Sequence, residues 1–128
     1  MLMLEQQDYC NMDMCMELDA LGCPIAKHDT INLYTKERNT VYGKFTLYEA
    51  QKWLRKKKGL FVEAVPSNEL SETDRIQYIF NVYDLKNKRI LFLDKEIKYD
   101  LYEESLTAGI NECIKLLKKY ELESNNIF

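Results

Sequence analysis

The sequence predicts an α+β fold: a three-stranded antiparallel sheet flanked by helices in the order α-β-β-β-α, preceded by an N-terminal helix and a short hairpin. Three observations carry this. Two segments, opening at Thr46 and at Asp100, combine capping-box spacing with apolar residues at helical intervals. Between them lie three short runs rich in β-branched and aromatic residues, separated by polar or turn-forming stretches. The composition is globular, with 46% apolar and 30% charged residues among 128 and only four Gly and two Pro, which excludes a disordered or linker-rich chain. This length suits one domain with a core of its own, divided as helix plus hairpin over 1–45, core over 46–121 and a frayed tail over 122–128.

Asn11 is placed to cap a first helix whose apolar face is Met14, Cys15, Leu18 and Leu21, and Gly22 followed by Pro24 stops it. Cys23 follows the glycine, where an apolar side chain folds back onto the last turn. From Ile31 to Phe45, Ile31 and Leu33 alternate with Asn32 and Tyr34, and Thr40 to Tyr42 follow the polar stretch Thr35 to Asn39. That pattern is two short strands around a turn. Thr46 and Glu49 form a capping box ahead of Leu47, Ala50, Trp53 and Leu54, so a helix runs to about Lys58 and ends at Gly59. Strands are expected at Leu60 to Val65, stopped by Pro66, at Tyr78 to Asp84 and at Arg89 to Leu93, the last two joined through Leu85, Lys86, Asn87 and Lys88. Ser67 to Gln77 is the most polar stretch and reads as an exposed connection, with Ser71 and Asp74 able to cap one helical turn. Asp100 and Glu103 repeat the capping-box spacing, and Leu106, Gly109, Ile110, Cys113 and Leu117 continue a long helix to about Glu121. Both capped helices need burial, and packing them on one face of the sheet as a two-layer sandwich provides it.

The order α-β-β-β-α resembles that of double-stranded-RNA-binding domains, which contact phosphate through basic residues at the start of the last helix. Here that start holds Asp100, Tyr102, Glu103 and Glu104, so the resemblance is one of topology and carboxylates stand where phosphate contacts would lie. A second resemblance rests on Leu21-Gly22-Cys23-Pro24, on Tyr48-Glu49-Ala50-Gln51-Lys52-Trp53-Leu54-Arg55-Lys56-Lys57 and on Tyr102-Glu103-Glu104. These resemble small phage- and prophage-associated proteins of anaerobic gut bacteria, over roughly Cys10 to Tyr120. That resemblance implies context and no named activity. The sequence departs from it with Leu101 where a capping Thr is usual and Ser105 where Ala is usual; Asp100 is expected to take over the cap.

A net charge of −3 gives no global attraction to nucleic acid or anionic lipid, so any such site must be a local patch. The start of the chain carries no basic leader or apolar segment of signal length and no run approaches a membrane span, so a cytoplasmic location without membrane contact is expected. In that compartment Cys10, Cys15, Cys23 and Cys113 are read as free thiols packed like small apolar groups. Cys10, Cys15, Cys23 and His28 supply the ligand types of structural zinc, but without paired ligands on tight knuckles, and core packing is the preferred reading. His28, the only histidine, sits between Lys27 and Asp29 without a nucleophile motif beside it and reads as an exposed loop residue. Asp94, Glu96, Asp100, Glu103 and Glu104 match no EF-hand loop; helix-dipole complementarity explains the last three and solvent exposure the first two. The isolated glycines, Gly22, Gly43, Gly59 and Gly109, form no phosphate-binding loop.

Two surfaces remain. Nine tyrosines, among them Tyr78, Tyr83, Tyr99 and Tyr102, fit an aromatic-rich interaction face. The basic run Arg55, Lys56, Lys57 and Lys58 beside Trp53 has the residue types of a single-stranded nucleic-acid groove, although cations at a helix C-terminus also complement the macrodipole. The expectation is a non-enzymatic phage-type accessory protein, using no cofactor or metal, that binds another protein or itself. The alternative is nucleic-acid contact through Arg55, Lys56, Lys57 and Lys58.

Overall fold

The computed structural model describes residues 3–67, 75–93 and 97–125. The expected Ser71–Asp74 turn, the carboxylates Asp94 and Glu96, and residues 126–128 of the tail lie outside these residues. After a 3-10 turn at Gln6–Asp8, helix α1 spans Met12–Ala20, strands β1 (Lys27–Ile31) and β2 (Arg38–Tyr42) form a hairpin, and helix α2 starts at Leu47. The three strands that follow are β3 (Leu60–Pro66), β4 (Tyr78–Asp84) and β5 (Arg89–Leu93), and helix α3 covers Tyr102–Asn125. The α+β class, the N-terminal helix, the hairpin and the three-stranded antiparallel sheet are as expected.

Local chemistry explains the helix starts. Asn11 Oδ1 accepts the Met14 amide at 2.8 Å to open α1. Thr46 Oγ1 accepts from the Glu49 amide at 3.1 Å while Glu49 Oε1 accepts from the Thr46 amide at 3.1 Å, closing the capping box of α2. Helix α2 is α-helical to Trp53, and its last turn, Leu54–Lys58, widens to π-helical bonding. Gly59 ends it at φ 69°, donating its N–H to the Leu54 carbonyl. Two ends differ from expectation. Asp100 does not open α3: the helix begins at Tyr102, and the Asp100 carboxylate instead accepts from Gln77 Nε2 at 3.1 Å. The isolated bridge between Tyr78 and Tyr99 fixes the chain just before this point and delays the helix. At the other end α3 continues to Asn125, into the segment expected to fray.

The sheet runs β3-β4-β5, all antiparallel. Its register places Leu60, Val62, Ala64, Val82 and Phe80 on one face, opposite each other in the pairs Val62–Val82 and Ala64–Phe80. Both α2 and α3 pack on this face, and Leu47, Ala50, Leu54, Leu106, Ile110, Cys113 and Ile114 complete a core that Met14, Cys15 and Leu18 of α1 extend. Phe80 and Phe92 stack within it at 4.9 Å. Helix α3 crosses the sheet at Gly109, where a Cβ would come within 2.4 Å of Val62 Cγ1, so the close approach requires glycine. The other face carries Phe61, Glu63, Val65, Ile79, Asn81 and Tyr83, with Ile90 and Leu93 exposed at its β5 edge.

Candidate functional site

The hairpin stands out from this body. Every residue of β1 is exposed, and of β2 only Tyr42 is partly covered. Its base is fastened by one carboxylate. Lys27 and Tyr42 are the first cross-strand pair, and both reach Asp19 of α1, Lys27 Nζ at 2.7 Å and Tyr42 Oη at 3.5 Å. The Gly43 N–H adds a 2.6 Å bond to the Ala26 carbonyl. Midway along, Thr40 Oγ1 donates to Asp29 Oδ1 at 2.9 Å across the strands. The tip is equally built. Asn32 Oδ1 accepts the amides of Tyr34 at 2.9 Å and Thr35 at 3.2 Å, its own amide donates to the Glu37 carbonyl at 2.9 Å, and Lys36 turns the chain at φ 62°.

That framework presents Leu33 at 75% and Tyr34 at 97% exposure, with Ile31 beside them at 49%. The sequence reading placed Leu33 and Tyr34 in the first strand; the strand is Lys27–Ile31, and Leu33 and Tyr34 lie in the turn because Asn32 bends the backbone there. His28 belongs to β1 and not to a loop, pairing with Val41 on the exposed hairpin. It is therefore remote in character from Cys15 and Cys23, which are buried in the core, and from Cys10, which packs against it. All four cysteines are free thiols. Burial is the first cause raising each of them, Cys10 and Cys113 to about 12 and Cys23 to about 11. Among the described residues no cluster of His, Cys, Asp or Glu is arranged to hold a metal ion.

The carboxylates divide. Asp100 is taken by Gln77, whereas Glu103 and Glu104 occupy the first turn of α3, where the helix dipole favours them, beside an open groove shared with Tyr9 and Tyr99. The tyrosines do not gather into one face. Tyr78 meets Tyr102 edge-on at 5.8 Å near the start of α3, while Tyr83 stacks on Phe61 at 6.1 Å near the far end of β4 and donates to Glu63 Oε2 at 2.7 Å.

Arg55, Lys56, Lys57 and Lys58 lie on the π-helical turn, the first three exposed and Lys58 half-covered, its Nζ 5.5 Å from the centre of the Trp53 ring. Trp53 is packed against the core along one edge. It also lines an open groove of about 370 Å³ with Phe45, Pro24, Lys52, Lys56 and Lys57. The basic run thus does more than terminate a helix: it borders an aromatic floor. Sequence reasoning missed that the β4–β5 turn returns to this end. The Leu85 N–H donates to the Gly59 carbonyl at 2.9 Å, and the Lys86 side chain lies over Gly59, its carbons 3.2 Å from where a Cβ would stand.

Among the described residues no helix is long and apolar enough to cross a membrane. Compared with family models, curated proteins and solved structures, the chain matches none of them.

Proposed function

We propose that this chain is a non-catalytic association module of the phage-type accessory kind it resembles, working in the cytoplasm and joining another copy of itself through the β1–β2 arm. One observation carries the reading: a hydrogen-bonded hairpin, anchored at Asp19, holds Leu33 and Tyr34 almost fully in water. An isolated two-stranded hairpin is marginally stable by itself, and an ordered tip with two large apolar side chains is the form of an interaction element. Burying each of them is worth about 1.5–3 kcal/mol. A second copy is the economical partner, since two arms can exchange reciprocally about a two-fold axis and the surface satisfies itself.

Light scattering after size exclusion, together with native mass spectrometry, tests this. The expected mass of the full chain is a multiple of 15.2 kDa, reverting to one copy in the double variant Leu33→Ser, Tyr34→Ser with an unchanged circular dichroism spectrum. A wild-type chain that stays at one copy across the accessible concentration range refutes self-association.

A further inference from the structure

We propose that the end of the molecule formed by the last turn of α2 and the β4–β5 turn is a docking site for a single strand of nucleic acid. Arg55, Lys56, Lys57 and Lys58 come from the first segment and Lys86, Lys88 and Arg89 from the second, seven of the 18 lysines and arginines of the chain. The Leu85–Gly59 hydrogen bond and the contact of Lys86 with Gly59 bring the two segments together. Register does the same for Arg89, which pairs with Asp84, itself paired with Leu60 next to Gly59. Two strand spacings, about 10 Å, separate the backbone of Arg89 from that of Leu60, one Debye length at about 0.1 M salt, so the charges of the two segments reinforce one another where they meet.

Of the seven, Arg89 alone makes an ion pair among the described residues, with Asp84 at 3.6 Å. The rest repel each other in a chain whose net charge is −3, a local excess that a polyanion relieves. The acidic first turn of α3 lies beyond the opposite end of β4, where Tyr78 bridges to Tyr99, about 20 Å from Asp84 along the strand. A polyanion is therefore attracted at one end and repelled at the other.

The aromatic groups select a single strand. On one side of the cluster Trp53 and Phe45 floor the groove edged by Lys52, Lys56 and Lys57, three cations against the one carboxylate of Glu49, which is held by the Thr46 cap. On the other, Phe61 and Tyr83 floor an open groove of about 430 Å³ edged by Lys88 and Arg89; its two carboxylates are engaged, Glu63 accepting from the Tyr83 hydroxyl and Asp84 pairing with Arg89, which leaves Lys88 as its free cation among the described residues. Cations that track phosphates beside rings that accept unstacked bases are the two requirements of single-strand binding, whereas the bases of a duplex are already stacked.

Fluorescence anisotropy with a labelled oligothymidylate of about 20 nucleotides, spanning more than one such site, provides the test. Binding is expected at low salt, with a logarithmic salt slope of about −3 to −4, since each phosphate contact on a single strand contributes about −0.7. Trp53, the only tryptophan, is expected to change its emission on binding. The pair K86E/K88E, from the segment the sequence did not connect to this end, is expected to flatten the slope by about 1.4 and to weaken binding about tenfold or more. K56E/K57E is expected to do the same, and K115E/K119E on α3 to leave binding unchanged, with circular dichroism reporting that each variant is folded. Absence of binding at low salt, indifference to K86E/K88E, equal affinity for a duplex of the same length, or equal displacement by polyglutamate or anionic vesicles would each overturn the proposal.

Discussion

Replacing Ser105 with alanine is expected to stabilise the protein. Ser105 lies in α3 at 0% exposure, next to the core residue Leu106, and its Oγ has no hydrogen-bond partner among the described residues. A buried hydroxyl without a partner costs about 1–3 kcal/mol, and serine is poorer than alanine within a helix by about 0.5 kcal/mol. Against this stands the void left by one oxygen, under about 1 kcal/mol in a core that relaxes around it. The net gain is about 1–2 kcal/mol, which for a domain of this size raises Tm by about 4–8 °C. Thermal and urea unfolding followed by circular dichroism measure it, with an unchanged urea slope showing that the native and unfolded states are otherwise the same. A lower Tm would refute the reasoning. It would mean that the hydroxyl is satisfied, as a helical serine can be by back-bonding to the carbonyl four residues earlier, here that of Leu101, which already accepts the Ser105 amide at 3.2 Å.

Two further outcomes follow from packing and charge. Gly109→Ala gains about 1 kcal/mol of helix propensity but drives a methyl to within 2.4 Å of Val62 Cγ1 and 3.1 Å of the Phe80 ring; overpacking costs about 1–3 kcal/mol, so a lower urea midpoint is expected, and a higher one would show that α3 is free to slide. Asp8 is held below the ordinary carboxylate range first by the Glu5 amide, 2.8 Å from its Oδ2, and then by the Tyr48 hydroxyl, 2.7 Å from its Oδ1. A depressed native pKa contributes stability that is present above the unfolded value of about 3.9 and disappears as pH falls through the native one. Urea midpoints across that acid limb should therefore fall less steeply in Asp8→Asn than in the wild type, and parallel limbs would remove Asp8 as a cause.

What was legible in the sequence is local. The Asn11 cap, the Thr46–Glu49 box and the Gly59 stop involve partners within a few residues, so spacing alone reports them. The strands β3 and β4 were legible as runs of β-branched and aromatic residues; in β3 burial alternates along the chain, whereas β4, the central strand, is buried without a break from Ile79 to Val82. The hairpin register was not, since alternation of Ile31 and Leu33 reports apolarity and nothing about what covers it; here water does. Asp100 had the spacing of a cap, but Gln77, distant in sequence, takes its carboxylate. The basic run was visible, whereas its union with Lys86, Lys88 and Arg89 depends on the sheet folding the β4–β5 turn back onto Gly59. The widening of α2 to a π-helical turn had no signature beyond that same glycine.

Three buried thiols and one half-buried one, Cys10, make the molecule chemically quiet. Burial raises all four cysteines, Cys10 and Cys113 to about 12 and Cys23 to about 11, so at neutral pH far less of each is thiolate than the few per cent of an unhindered cysteine. Maleimide reagents attack the thiolate. A cysteine introduced at the arm tip, in place of Tyr34, would therefore react ahead of the native thiols and take a fluorophore or cross-linker selectively, with no need to strip the core of its own sulfur.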